Sequence, residues 1–292
     1  MKQLSPLYVE ILKIFYGEIF NKKNKFFTRI KRIIARFSIS KLFIKFHQSN
    51  SKNQEMPYSE DKNFEDLNIE TANKYLNNLG IYEDLKISDK SLNKILNYCK
   101  SELFNFNRNP KFKIKFDERF NYKDLYIMNI MNPHLNCEEI NSISKNKKII
   151  NIVKNYIGAN PILESTQIFW SVPYFDKDGN PKEPPNKEFG YHYDIDGYKF
   201  IKFFIYLTDV LDENCGHHCF VTKDNGKEKS FFEKIYRRVP DQIITNKYNN
   251  RVKNIFGPKG KGFLEDTSFY HKGNFPKKER GMLAIIYNLS KW

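Results

Sequence analysis

The sequence predicts an α+β protein, mainly β: a barrel or sandwich of short strands with flanking helices, preceded by a basic helical extension. Three observations carry this prediction. After Gly158, short apolar runs rich in β-branched and aromatic residues are separated by Gly, Pro, Asn and Asp clusters. The chain holds 26 Phe and 18 Tyr in 292 residues, a content that favours a β-rich interior. Before Gly158 the apolar residues recur instead at helical spacing.

In chain order, residues 6–20 (PLYVEILKIFYGEIF) and 26–46 (FFTRIKRIIARFSISKLFIKF) read as basic amphipathic helices. Ile30, Ile33, Ile34 and Phe37 recur near 3.6 spacing, with Lys31, Arg32 and Arg36 between them. Such helices pack on the domain or on a second subunit. Peripheral membrane contact through residues 6–46 is the alternative use. Residues 47–63 (HQSNSKNQEMPYSEDKN) have a linker composition, which divides the chain into an extension and linker over 1–60 and one domain over 61–292. Helices are expected over 88–104, capped by Ser88, and over 138–157, ended by Gly158. Strands follow in ILESTQIFWSVPYF, YKFIKFFIYLTDV, HHCFV, KGFLEDTSFY and MLAIIYNLS, interrupted by one helix near 229–247. There is no internal repeat.

The net charge of +15 is uneven. Residues 1–48 hold eleven Lys/Arg and two Glu, so +9 sits there and only +6 is spread over the other 244 residues. No nucleic-acid partner is expected from so thin a spread. Four scattered cysteines, Cys99, Cys137, Cys215 and Cys219, fit reduced thiols rather than a disulfide scaffold. No window of 18 uncharged apolar residues offers a membrane span, and the N-terminus does not read as a cleaved signal. A cytoplasmic protein, membrane-associated if the basic helices bind lipid, is the expectation.

Chemistry enters at FGYHYDIDG, residues 189–197. On extended backbone, residues i and i+2 point the same way, so His192 and Asp194 aim an imidazole and a carboxylate at one point. A third ligand would be His271, which follows the strand candidate GFLEDTSFY and precedes the turn KGNFPKKE. Two histidines and one carboxylate suit a non-haem Fe(II) site with three open positions, and they also suit a hydrolytic zinc site. Arg280 opens the last strand, where its guanidinium would fork onto the far carboxylate of 2-oxoglutarate.

The stretch FGYHYDIDGYKFIKFFIYLTDVLDENCGHHCFVTKDNGKEKS resembles the central motif of the phytanoyl-CoA dioxygenase-like enzymes, in which His-x-Asp precedes a strand, a T-D-V and a Gly-containing hairpin. GPKGKGFLEDTSFYHKGNFPKKER resembles the block that carries the same family's distal histidine. The resemblance covers residues 160–292 closely and 65–160 loosely, and does not reach the basic N-terminus. It implies a double-stranded β-helix (jelly-roll) core. It also implies Fe(II) held by His192, Asp194 and His271, with 2-oxoglutarate anchored by Arg280. O2 would be the other co-substrate and ascorbate an accessory reductant. The implied activity is that of an Fe(II)- and 2-oxoglutarate-dependent dioxygenase hydroxylating an unactivated C–H of a small molecule. Asp194 fills the position that a halogenase would leave for chloride. One departure concerns the substrate: where many members read P-G-S-H at the mouth of the site, this chain reads Thr222-Lys223-Asp224-Asn225. The alternative is a non-catalytic binding or scaffold protein on a degenerate oxygenase fold.

Further candidates lie on the strands. On STQIFWSVP, Gln167 is expected to donate to 2-oxoglutarate and Trp170 to wall the pocket. Lys202 is unusual between the aromatics of YKFIKFFIYL and is expected to meet a carboxylate or the substrate inside the barrel. In CGHHC, residues 215–219, His217 and His218 fall on opposite strand faces, so one of them would face the substrate. A zinc cluster there lacks a second ligand group. Asp209 reads as a turn residue.

Overall fold

The computed structural model describes residues 26–37, 39–50, 56–59, 63–64, 67–176, 178–180, 182–184, 190–224 and 230–291. The helix expected over 6–20 lies outside them. Helices α1 (Phe26–Arg36) and α2 (Ser40–Asn50) replace the single helix expected over 26–46. Both dock on the body of the protein. Arg36 Nη1 donates to Ile235 O, Gln48 Nε2 donates to Ile157 O at 2.7 Å, and the Phe43 ring stacks on Tyr198 at 5.1 Å.

Next come α3 (Ile69–Leu79), β1 (Ile81–Lys86), α4 (Asp89–Ser101), β2 (Leu103–Phe106), β3 (Asn109–Lys115) and β4 (Ile127–Met131). Ser88 caps α4 by accepting from the Ser91 N–H, as expected. The helix expected over 138–157 is two helices, α5 (Glu138–Ser144) and α6 (Lys147–Ile157). Asn146 causes the break: its side chain accepts from the Lys148 and Ile149 N–H groups and starts a new helix. Gly158 ends α6 in the left-handed conformation.

The remaining strands are β5 (Ile162–Ser171), β6 (Phe200–Tyr206), β7 (His218–Val221), β8 (Val252–Ile255), β9 (Lys261–Glu265), β10 (His271–Gly273) and β11 (Arg280–Asn288). Between β7 and β8 stand α7 (Phe231–Ile235) and α8 (Asp241–Tyr248), where one helix was expected. Pro240 separates them, because the residue before a proline is driven to extended backbone. The freed residues 237–239 then pair with 191–193.

All strand pairs are antiparallel. The major sheet runs β1-β9-β6-β11-β5-β4-β2-β3, and the minor sheet runs β10-β7-β8. This is the jelly roll that the resemblance implies. Alternation along each strand builds two cores. Ile201, Phe203, Ile205, Leu283, Ile285 and Tyr287 face the helices. Phe204, Tyr206, Phe263, Met282 and Ala284 face the minor sheet and meet Phe220 and Ile255. Tyr206 links the sheets, donating its hydroxyl to Ile255 O at 2.8 Å.

β11 lies between β5 and β6, and Leu283 on it is fully buried. Leu283→Ala is expected to cost about 2–5 kcal/mol in chemical denaturation. Leu42→Ala, on an exposed face of α2, is expected to cost less than about 0.5 kcal/mol.

Candidate metal centre

His192 sits in an extended segment that pairs with β10. The His192 N–H donates to His271 O at 2.9 Å, and the His271 N–H donates to His192 O at 2.8 Å. Directly opposed residues of an antiparallel pair point their side chains to the same face. The two imidazoles therefore share one face, with ring centroids 4.5 Å apart. The Asp194 N–H donates to Thr267 O at 2.7 Å, which continues the pairing and returns the Asp194 carboxylate to the same side.

The ring orientations are fixed by backbone carbonyls. His192 Nδ1 lies 2.9 Å from Gly190 O, and His271 Nδ1 lies 2.9 Å from Phe269 O. Each Nδ1–H donates, so each Nε2 is turned inward as the atom a metal would take; despite burial, Asp194 raises His271 above its ordinary value, and a metal would displace that proton. Asp194 Oδ1 is 3.8 Å from His192 Nε2, and Oδ2 is 3.4 Å from His271 Nε2. One ligand atom from each of the three residues falls within 4.8 Å of the others. No other group of three His, Cys, Asp or Glu does this among the described residues.

Lys202 points inward from β6 and bridges two carboxylates, Asp194 Oδ2 at 2.7 Å and Asp196 Oδ2 at 2.6 Å. Burial alone would raise the Asp194 carboxyl. Lys202 and His271 outweigh it and hold Asp194 well below the usual carboxylate range. Burial and the neighbouring His271 push His192 well below its ordinary value, so its imidazole is neutral and able to ligate. Glu265 lies fully buried beneath the site, with Oε2 2.8 Å from His218 Nε2, though not aligned as a hydrogen bond. Burial pushes its carboxyl up to about 8.

Arg280 begins β11 and is buried beside the triad, on the wall of a cavity of about 250 Å³. Its Nη1 donates to Gly216 O, its Nε has no partner, and no carboxylate pairs with it among the described residues. Glu279, its neighbour, is instead taken by Arg119 and by Trp170 Nε1 at 2.7 Å. Room for the guanidinium comes from Gly273: a Cβ there would meet Arg280 Nη1 and Nη2 at 2.8 Å. A buried cation without a counter-ion calls for an anionic ligand. Ser171 stands opposite Arg280 in register, and its buried hydroxyl also lacks a partner among the described residues.

The sequence-derived candidates divide. Gln167, Lys202 and His218 line the cavity with the triad and Arg280. Trp170 does not: it has the opposite strand parity to Gln167, faces the helix side and meets Phe116 edge-on at 4.8 Å. Its expected place in the pocket is corrected accordingly. His217 is also outside, packed on Phe256 with Nε2 3.0 Å from Asn274 Nδ2. Thr222 and Lys223 are tied by backbone bonds to Arg251 and Leu79, away from the cavity wall. Asp209 is a turn residue, accepting from the Lys259 N–H. Sequence reasoning missed Asp196, Ser171, Glu265, Arg108 and Arg238. The i, i+2, i+4 series His192, Asp194, Asp196 was a legible signal for the first of these; the others had none.

No protein-family model and no curated protein matches the chain. Solved structures do match. The non-haem α-ketoglutarate-dependent epimerase SnoN from nogalamycin biosynthesis aligns at TM-score 0.50 and 10% identity, over 75% of this chain and 80% of that one. EctD from S. alaskensis, solved with 2-oxoglutarate and 5-hydroxyectoine, aligns at TM-score 0.51 and 14% identity, over 82% and 85%. The same enzyme with bound Fe aligns at 0.51 and 13%, over 80% and 83%. At such identities the likeness establishes the fold: the chain is a double-stranded β-helix of the kind these enzymes share.

Proposed function

We propose that this protein is an Fe(II)- and 2-oxoglutarate-dependent oxygenase that hydroxylates an unactivated C–H of a small molecule. One observation carries the reading: two carbonyl-oriented imidazoles and a carboxylate converge on one point, beside a buried arginine that has no carboxylate partner among the described residues. The donor set fits ferrous iron, since three protein ligands leave positions for a bidentate oxoacid and O2. Iron bound there, with 2-oxoglutarate and O2, supplies the oxidising power for C–H hydroxylation as 2-oxoglutarate goes to succinate and CO2.

The chain's own residues supply position and charge. His192, Asp194 and His271 hold the metal. Lys202 and Asp196 orient the Asp194 carboxylate, with Lys202 bonded to the Oδ2 atom. Arg280, with the Ser171 hydroxyl beside it, binds the distal carboxylate of 2-oxoglutarate. Phe169, Phe204 and Met282 make the surrounding wall apolar and limit water at the reacting atoms. Support from the neighbours is by kind: SnoN is an α-ketoglutarate-dependent epimerase, and EctD was solved with iron and with 2-oxoglutarate.

With Fe(II), ascorbate and 2-oxoglutarate in air, the wild type is expected to release succinate slowly even without its second substrate. Asp194→Ala and His271→Ala should fall to background, and equal succinate release by all three proteins would refute the assignment. Arg280→Ala is expected to weaken 2-oxoglutarate binding by at least about tenfold, the loss of one charge-assisted pair. Gly273→Ala, measured by the same titration with Ni(II) in place of iron, is expected to weaken 2-oxoglutarate about tenfold or more by displacing the guanidinium.

A further inference from the structure

Arg280 is the first residue of β11 and follows the irregular segment 274–279, so a continuous strand holds it on one side only. Local opening costs least where a strand gives way to such a segment. A guanidinium fixed before its ligand arrives binds more tightly than one ordered on binding. Something must therefore hold the start of β11, and the side chains behind Arg280 do so.

Both chain neighbours of Arg280 are tied to one side chain on β5, Trp170. Gly281 pairs with Trp170 in the β5–β11 ladder, and a Cβ on Gly281 would collide with three carbons of the indole, so the ring covers the backbone there. The indole Nε1–H reaches back along the strand and donates to Glu279 Oε2 at 2.7 Å. One side chain thus spans the residues before and after Arg280. Ser171 follows Trp170 and stands opposite Arg280, so the same contact fastens together the two strand ends that carry the proposed carboxylate site. Arg119 completes the clamp. Its Nε donates to Glu279 Oε2 at 2.8 Å and its Nη2 to Oε1 at 3.2 Å, a forked pair on both oxygens. Its Nη1 donates to Phe116 O at 3.0 Å, and its guanidinium carbon lies 4.1 Å from the Phe116 ring centroid and 4.4 Å from that of Phe120. Glu279, the carboxylate next in the chain to Arg280, therefore accepts from Trp170 and Arg119 and is held off Arg280.

We infer that Glu279 is a positioning residue for Arg280: gripped by Trp170 and Arg119, it fixes the start of β11 so that the guanidinium stands ready for the distal carboxylate of 2-oxoglutarate. The inference rests on the oxygenase reading above and deepens it. A carboxylate engaged only for folding would change stability and leave the affinity for the oxoacid alone. A positioning carboxylate changes that affinity, and its effect passes through Arg280.

Calorimetric titration of 2-oxoglutarate into Ni(II)-loaded protein tests this as a cycle of wild type, Glu279→Ala, Arg280→Ala and the double variant. Glu279→Ala is expected to weaken 2-oxoglutarate about fivefold or more when Arg280 is present, and by less than about twofold when it is not. Ni(II) affinity should be the same in wild type and Glu279→Ala. Glu279→Gln, which keeps a carbonyl oxygen to accept from Trp170 Nε1, should recover part of the loss. Melting curves establish that each variant is folded, and Arg119→Ala takes the place of Glu279→Ala in the same cycle if the latter does not fold. Unchanged 2-oxoglutarate affinity in Glu279→Ala, or an equal loss with and without Arg280, overturns the inference while leaving the oxygenase reading in place. That reading fails separately. A wild type that does not bind 2-oxoglutarate with Ni(II), or an Arg280→Ala variant that binds it as tightly as the wild type, removes Arg280 as the anchor and the inference with it.

Discussion

The exchange of backbone hydrogen bonds between His192 and His271 is the constraint on which the site depends. The two residues are 79 positions apart in the chain. Their mutual pairing puts both imidazoles on one face of the minor sheet, and two further carbonyls, Gly190 O and Phe269 O, turn each ring so that Nε2 faces inward. Because the orientation comes from main-chain atoms, it is set by the fold itself. The Asp194 carboxylate is placed by the same ladder, two residues along.

The major sheet answers this arrangement from across the cavity. Its inner face is apolar along most of β6 and β11, with Phe204, Met282 and Ala284, and breaks that pattern only where charge is used. Lys202 enters from β6 to meet Asp194 and Asp196, and Arg280 enters at the start of β11. A buried cation among aromatics would be destabilising without partners. Lys202 has two carboxylates; Arg280 has a backbone carbonyl and a glycine that makes room for it.

Helices cover the other face of the major sheet. The same alternation that turns Lys202 and Phe204 inward turns Ile201, Phe203 and Ile205 outward into a separate core. That core absorbs Trp170 and fixes β5 so that Gln167 and Ser171 face the cavity. The α2 helix of the basic extension rests on Tyr198, four residues beyond Asp194. Among the described residues no helix is long and apolar enough to cross a membrane.

The sequence by itself determined the strands made of apolar runs rich in β-branched and aromatic residues, β5, β6, β9 and β11, and the helix ends where a cap residue acts locally, Ser88 and Gly158. It also determined which residue types were available to ligate, since His192 and Asp194 two apart on extended backbone share a side whatever the fold. The edge strand β1 was not legible, because IYEDLK shows no period of two, whereas β3 carried a short alternation, Lys111-Phe112-Lys113-Ile114-Lys115, that sequence reasoning passed over. Only the tertiary structure decided which face of β5 became the pocket, and so excluded Trp170. It alone brought Arg108 and Arg238 to one cavity. Local sequence fixes side-chain parity and backbone propensity, whereas the choice of inner face and the meeting of distant hairpins come from how the two sheets close on each other.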